Sequence, residues 1–298
     1  MFEEVSQDLL RDMEHIALGI LGMGLLLNYM WKTGALGGKR ADELSGDITG
    51  EAKPHRGKVR SDLMMPIDLF MAVVILAFYY LKFLPTEVNS AATNPVEPGV
   101  PGKELILSHF LVTFFMLSFA LSTIYIGGRR SANDIFGLTR LALPRWLLWV
   151  VGGAVVAGGL VMLLHQVLMK YWLLPTFGDM AVQEAVQTML TVKDPMVKTL
   201  LIVNACLVAP FAEEVLFRGY IYAAVKRYTG PIFSTVVVSL LFAVVHLNIP
   251  ALWPLWVFAI LLTLSYEFSG SLWVPVGIHA LFNTFNVALM LSGRDIPL

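Results

Sequence analysis

Long apolar runs separated by short polar connections set the pattern of this chain. About 20 mostly apolar residues carry a helix across a bilayer core, and about eight runs answer to that length. They are His15–Trp31, Pro66–Leu84, Leu105–Ile126, Trp146–Tyr171, Met196–Ala212 (continuing to Tyr228), Pro231–Leu247, Leu252–Phe268 and Leu272–Leu291. Backbone groups in lipid must find their hydrogen bonds within the span, which selects helices. The predicted fold is therefore an all-α, polytopic membrane helix bundle, with residues 1–298 forming a single integral membrane domain.

Composition agrees with the pattern. Of 298 residues, 57% are hydrophobic and only 14% are charged, where a soluble domain carries about a quarter. Mean hydropathy is +0.70. Disorder, a collagen-like fibre and a disulfide-stapled secreted module are excluded. The 21 Lys and Arg against 22 Asp and Glu leave no basic surface for nucleic acid. The one cysteine, Cys206, can form neither an internal disulfide nor a cysteine zinc knot. It reads as a small apolar filler.

Charge in the connections predicts orientation. Lys32, Lys39, Arg40, Lys53, Arg56, Lys58 and Arg60 lie between the first two spans, and Arg129, Arg130, Arg140 and Arg145 between the third and fourth. Arg218, Lys226 and Arg227 follow the fifth. These are 14 of the 21 basic residues, and the richer side faces the cytoplasm, so both termini face outward. Glu3, Glu4, Asp8 and Asp12 do not suit a cleaved signal peptide, so the first span is expected to be retained. Pro85–Lys103 reads as an irregular outer loop. Gly178–Thr191 sets Val182, Val186 and Met189 at helical spacing, which suits a short surface helix. Small residues in the fourth span (Gly152, Gly153, Ala154, Ala157, Gly158, Gly159) and the first (Gly19, Gly22, Gly24) read as helix packing.

Ionisable residues inside spans are costly unless paired or set against a cavity, so each is a functional hypothesis. They gather in three stretches: Glu213-Glu214-Val215-Leu216-Phe217-Arg218, Phe242-Ala243-Val244-Val245-His246, and His279-Ala280-Leu281-Phe282-Asn283 with Asn286 beyond. Glu214 and Arg218 are four apart and can pair on one helix face. Glu213 is rotated about 100° from Glu214 and can point elsewhere. His279, Asn283 and Asn286 follow one stripe. Glu213 lies 17 residues before Gly230 and His246 lies 16 after it, so a hairpin there sets both at one depth. A carboxylate, two imidazoles and a carboxamide can thus converge in the membrane.

These types suit hydrolysis of an amide by an activated water. A carboxylate withdrawn from bulk solvent serves as general base near neutral pH. A histidine beside it can hold the water, and a second histidine with an asparagine amide can donate to the oxyanion. Glu213 would then return its proton to the leaving amine. His15, His109 and His165, near span ends, read as structural.

The three motifs, in this order on late spans, resemble those of the CPBP family of intramembrane endopeptidases, which includes the type II CAAX prenyl endopeptidases and the bacterial Abi proteins. That pattern is Glu-Glu-x-x-x-Arg, Phe-x-x-x-His, and His followed four residues on by Asn. Here it stands as Glu213-Glu214…Arg218, Phe242…His246 and His279…Asn283. The resemblance covers Met196–Asn286, within a motif-bearing core of residues 196–291; the first 190 residues match no motif. It implies a protease with its site in the bilayer, open toward the cytoplasmic side; the lack of a large soluble domain in the sequence leads us to expect a prokaryotic plasma membrane. Glu213 would be the catalytic base and His246 its partner on the water. His279 and Asn283 would be the oxyanion donors, with Glu214, Arg218 and Phe242 in support.

The resemblance leaves the metal open. Glu213, His246 and His279 could ligate zinc with water in the fourth position. The sequence has no His-Glu-x-x-His, and Asn283 is a better donor than ligand, which favours a metal-independent mechanism. Implied substrates are membrane-anchored, lipidated or C-terminally processed proteins or peptides. A rhomboid-like enzyme would need Gly-x-Ser-Gly on a span, and Ser269-Gly270 falls at a turn. An aspartyl enzyme would need two membrane aspartates, whereas Asp68 is at a span end and Asp179 in a loop. The rival class is a scaffold, immunity protein or transporter that uses the same Glu/His cluster for binding. Transporters commonly carry internal repeats with paired broken helices, and neither is evident.

Overall fold

The computed structural model describes residues 58–64, 66–81, 103–126, 132–138, 141–177, 189–246 and 248–292. The first predicted span with its glycines, the connection 85–102 and residues 178–188 of the surface-helix segment lie outside them.

Among the described residues every regular element is helical. They are α1 (Pro66–Leu81), α2 (Lys103–Ile126), a short α3 (Ala132–Phe136), α4 (Leu143–Leu168, prolonged through a π-helical turn at Met169–Leu173), α5 (Pro195–Thr229), α6 (Pro231–Val244), α7 (Ile249–Ser269) and α8 (Trp273–Leu291). Seven predicted spans thus correspond to helices. Four of these helices, α4, α5, α7 and α8, are long and apolar enough to cross a membrane, and shorter apolar stretches occur in α1, α2 and α6. The chain is an integral membrane protein with a polytopic helix bundle.

Helix ends follow local chemistry. Asp194 caps α5 by accepting from the Met196 N–H at 2.9 Å, with Pro195 at the first position. Asn248 caps α7 through the Ala251 N–H at 2.9 Å. Gly230 ends α5 at φ 88°, a conformation costly for any residue with a Cβ, and α6 returns antiparallel.

Lipid is as apolar as a leucine side chain, so close packing holds such a bundle together more than burial does. Two of the small residues of α4 act in that way. Gly153 lies against Ile278 of α8 and Gly158 against Phe282. Gly152 and Gly159, by contrast, would meet nothing within 4 Å if they carried a Cβ. The outer side of α4 presents Leu148, Val155, Val156 and Leu163, which suits contact with lipid. Of the four long helices α7 is the most enclosed, with half of its apolar window buried against 17% in α4. Helices α4, α6 and α8 pack against it, α5 reaches it through Arg218, Tyr222 and Lys226, and the motif residues meet between α5, α6 and α8.

Candidate active site

Helix α5 is not a uniform α-helix. It passes through π-helical turns at Asn204–Val208 and Glu214–Tyr222, on either side of the short α-helical stretch Ala209–Glu213. Such turns add a residue and re-aim the side chains that follow. Glu213 and Glu214 stand at the second junction, eighteen residues into a helix of 35.

Glu214 is fully buried. Its Oε1 accepts from Arg218 Nη1 at 2.8 Å and from His279 Nδ1 at 2.9 Å. Arg218, 1% exposed, also donates from Nη2 to the Ala259 carbonyl of α7 at 3.2 Å, and its guanidinium lies 4.3 Å over the Phe242 ring. A buried charge needs this degree of pairing to be tolerated. Phe242 organises the cluster: its ring centroid is 4.7 Å from His246, 5.9 Å from His279 and 5.2 Å from Phe217. The resemblance gave Phe242 a supporting role without saying how; in the structure it is the surface against which both imidazoles and the guanidinium rest.

Both histidines are held by Nδ1. His246 shares a 2.6 Å hydrogen bond with the Phe242 carbonyl, and His279 bonds the Glu214 carboxylate. A carbonyl and an ionised carboxylate only accept, so in each ring Nδ1 carries the proton. That leaves both Nε2 atoms facing Glu213. Its Oε2 is 4.0 Å from Nε2 of His246 and 3.9 Å from Nε2 of His279. These gaps exceed a direct hydrogen bond and suit one bridged by water. Glu213 and His246 keep 20% and 26% of their side-chain surface open, while His279 is closed at 5%. The cluster therefore has a buried floor (Glu214, Arg218, His279) and an accessible rim (Glu213, His246).

Asn283 lies on the same face of α8, yet its amide Nδ2 donates to the backbone carbonyl of Ala205 at 2.9 Å. The structure turns it toward the backbone of α5, whereas sequence spacing alone set it beside His279. Asn286 keeps a buried amide oxygen without a hydrogen bond. His165 and Cys206 are buried elsewhere on α4 and α5. Ser269 and Gly270 form a turn, with Gly270 left-handed at the end of α7.

One carboxylate and two imidazoles are donor types that zinc accepts. Tetrahedral ligands near 2.1 Å from the metal stand only about 3.4 Å apart. The separations here are wider, and no group of three or more His, Cys, Asp or Glu among the described residues is spaced to hold a metal ion. As arranged, the cluster does not fit a bound metal.

Sequence reading missed a second buried polar group. Lys226 pairs with Glu267, which also accepts from the Tyr222 hydroxyl at 2.8 Å. Glu267 sits near the end of its span, and a carboxylate in an apolar run is itself the signal that marks it.

Comparison with known proteins covers the segment that carries these residues. Residues 195–285 match the family model described as type II CAAX prenyl endopeptidase Rce1-like. A curated relative, "Putative membrane peptidase YdiL" of Bacillus subtilis (strain 168), is 29% identical over 93 residues. That alignment spans 31% of this chain and 38% of the relative's length. No solved structure matches the chain. The matched segment holds all three motifs and follows 194 residues that the family model does not match. Over that third of its length the chain is similar to the type II CAAX prenyl endopeptidase Rce1-like family.

Proposed function

We propose that the chain is an intramembrane endopeptidase that hydrolyses a peptide bond of a membrane-anchored or lipidated protein by a water that Glu213 activates. The observation that carries this reading is the approach of two imidazole Nε2 atoms to within 4.0 Å of one partly open carboxylate, inside an apolar helix bundle. A water between Glu213 and His246 can give a proton to the carboxylate while the Nε2 lone pair of His246 orients it. The resulting hydroxide attacks the scissile carbonyl carbon. His279 donates from Nε2 to the oxyanion when its ring carries both protons, with Glu214 holding the ring from behind. The C–N bond then breaks and Glu213 passes its proton to the amine nitrogen.

The Glu213–His246–His279 spacing supports a metal-independent reaction. Activity that survives exhaustive treatment with a chelator is the expected result; loss restored by zinc would overturn it. The basic connections support a cytoplasmic approach to the site, and the family match makes C-terminally prenylated peptides the first substrates to try. The deciding experiment compares protein termini in membranes that contain the wild type or Glu213→Gln at equal levels. A small set of membrane or lipidated proteins should remain uncut only in the variant. Identical termini with an intact phenotype in the variant would instead favour the scaffold or transport reading.

A further inference from the structure

Within the π-helical turn Asn204–Val208, the Ala209 N–H donates to the Asn204 carbonyl five residues back. That leaves the Ala205 carbonyl without either of its usual partners. Its α-helical donor, the Ala209 N–H, is engaged by Asn204, and its π-helical donor would be residue 210, a proline with no N–H. In a membrane-spanning helix, water does not make good such a loss. The donor comes from another helix: Asn283 Nδ2 of α8, at 2.9 Å.

We propose that Asn283 is a positioning residue, which holds the π register of α5 by serving the carbonyl that Pro210 leaves unpaired. One inserted residue rotates everything after it by about 100° relative to an uninterrupted α-helix. Glu213 lies three residues beyond Pro210. Its direction toward His246 and His279 therefore depends on the turn keeping its register, and the turn is tied to α8, the helix that also carries His279. Asn283 thus couples the helix of the base to the helix of the second imidazole. The effect on cleavage rests on the protease reading, whereas the hydrogen bond itself does not.

Because the chain has a single cysteine, Ala205-Cys206 is its one Ala–Cys peptide bond. Labelling alanine with carbonyl 13C and cysteine with 15N gives a single signal that reports the Ala205 carbonyl. The full chain in detergent micelles is compared as wild type, Asn283→Ala, Pro210→Ala and the double variant. The carbonyl signal should move upfield in Asn283→Ala and return in the double variant, where residue 210 regains an N–H. Cleavage should fall about 100-fold in kcat, with KM little changed, in Asn283→Ala. In the Pro210→Ala background the same substitution should cost less than about threefold.

An unmoved carbonyl signal in Asn283→Ala overturns the proposal. An equal loss of kcat in both backgrounds also overturns it and returns Asn283 to the role of oxyanion donor. An Asn283→Ala chain that folds only when Pro210 is also replaced supports it. Should Pro210→Ala alone fail to fold, the carbonyl shift in Asn283→Ala decides. Cleavage by Glu213→Gln at the wild-type rate would remove the protease reading, and the carbonyl signal would then decide the proposal without it.

Discussion

Glu213 and Glu214 are adjacent carboxylates with opposite conditions. Glu214 is fully buried between Arg218 and His279, whereas Glu213 is partly open and faces two ring nitrogens. Different consequences follow from removing each charge. Glu213→Gln should lower cleavage by about 10²–10⁴-fold, the range for a general base, while the thermal midpoint in detergent stays at the wild-type value. A matching fall in the midpoint would make Glu213 structural. Arg218→Met strands the Glu214 carboxylate and should cost about 3–5 kcal/mol. Adding Glu214→Gln should recover most of that loss in denaturant unfolding, because the stranded charge is then gone.

At the scale of helices, contact geometry separates glycines that need their missing Cβ from those that do not. A Cβ on Gly277 of α8 would stand 2.7 and 2.9 Å from the Val150 methyls and 3.2 Å from the Trp146 ring. Gly277→Ala should therefore destabilise by about 1–3 kcal/mol by overpacking the α4–α8 contact. Gly159→Ala meets open space, and exchanging glycine for alanine in a helix should stabilise by up to about 1 kcal/mol. Thermal unfolding of the two variants side by side checks the order; equal shifts would refute it. Helix α5 teaches the same lesson in another form. Its length and the pairing of Glu214 with Arg218 were legible from the apolar run and the four-residue spacing. Its π turns were not, because the 3.6-residue repeat of apolar positions does not show where the backbone register slips by one residue.

Across the whole molecule, residues 58–68 of the unmatched part are pinned to the motif-bearing segment by buried polar contacts. The Tyr220 hydroxyl donates to Asp68 of α1 at 3.0 Å. Lys226, besides pairing with Glu267, donates to the Val59 carbonyl at 3.0 Å, and the Lys58 N–H donates to the Glu267 carbonyl at 3.3 Å. Val59, Ser61 and Met64 are buried at this junction. Lys226→Met should release residues 58–64, read as faster amide hydrogen exchange there, with exchange around Phe242 little changed. Unaltered exchange at Lys58 and Val59 would show that apolar contact alone holds the segment. Asp68, which spacing placed at a span end, is fully buried within this junction.

The sequence by itself determined the helical membrane architecture, the seven apolar runs that are helices among the described residues, four of them long enough to cross a membrane, and the three motifs with their order. Each of these is a property of near neighbours: apolar run length, the 3.6-residue repeat, and an expensive charge in an apolar stretch. The hairpin count from Gly230 even set Glu213 and His246 at a common depth. Tertiary structure alone decided which ring nitrogen faces Glu213, that His279 rests on Glu214, and that Asn283 serves Ala205. It also decided that Phe242 carries the guanidinium and that Lys226 and Glu267 close on residues 58–64. Those outcomes depend on helix rotation and on hydrogen-bond donors from distant parts of the chain, and a π turn beside a proline changes both at once.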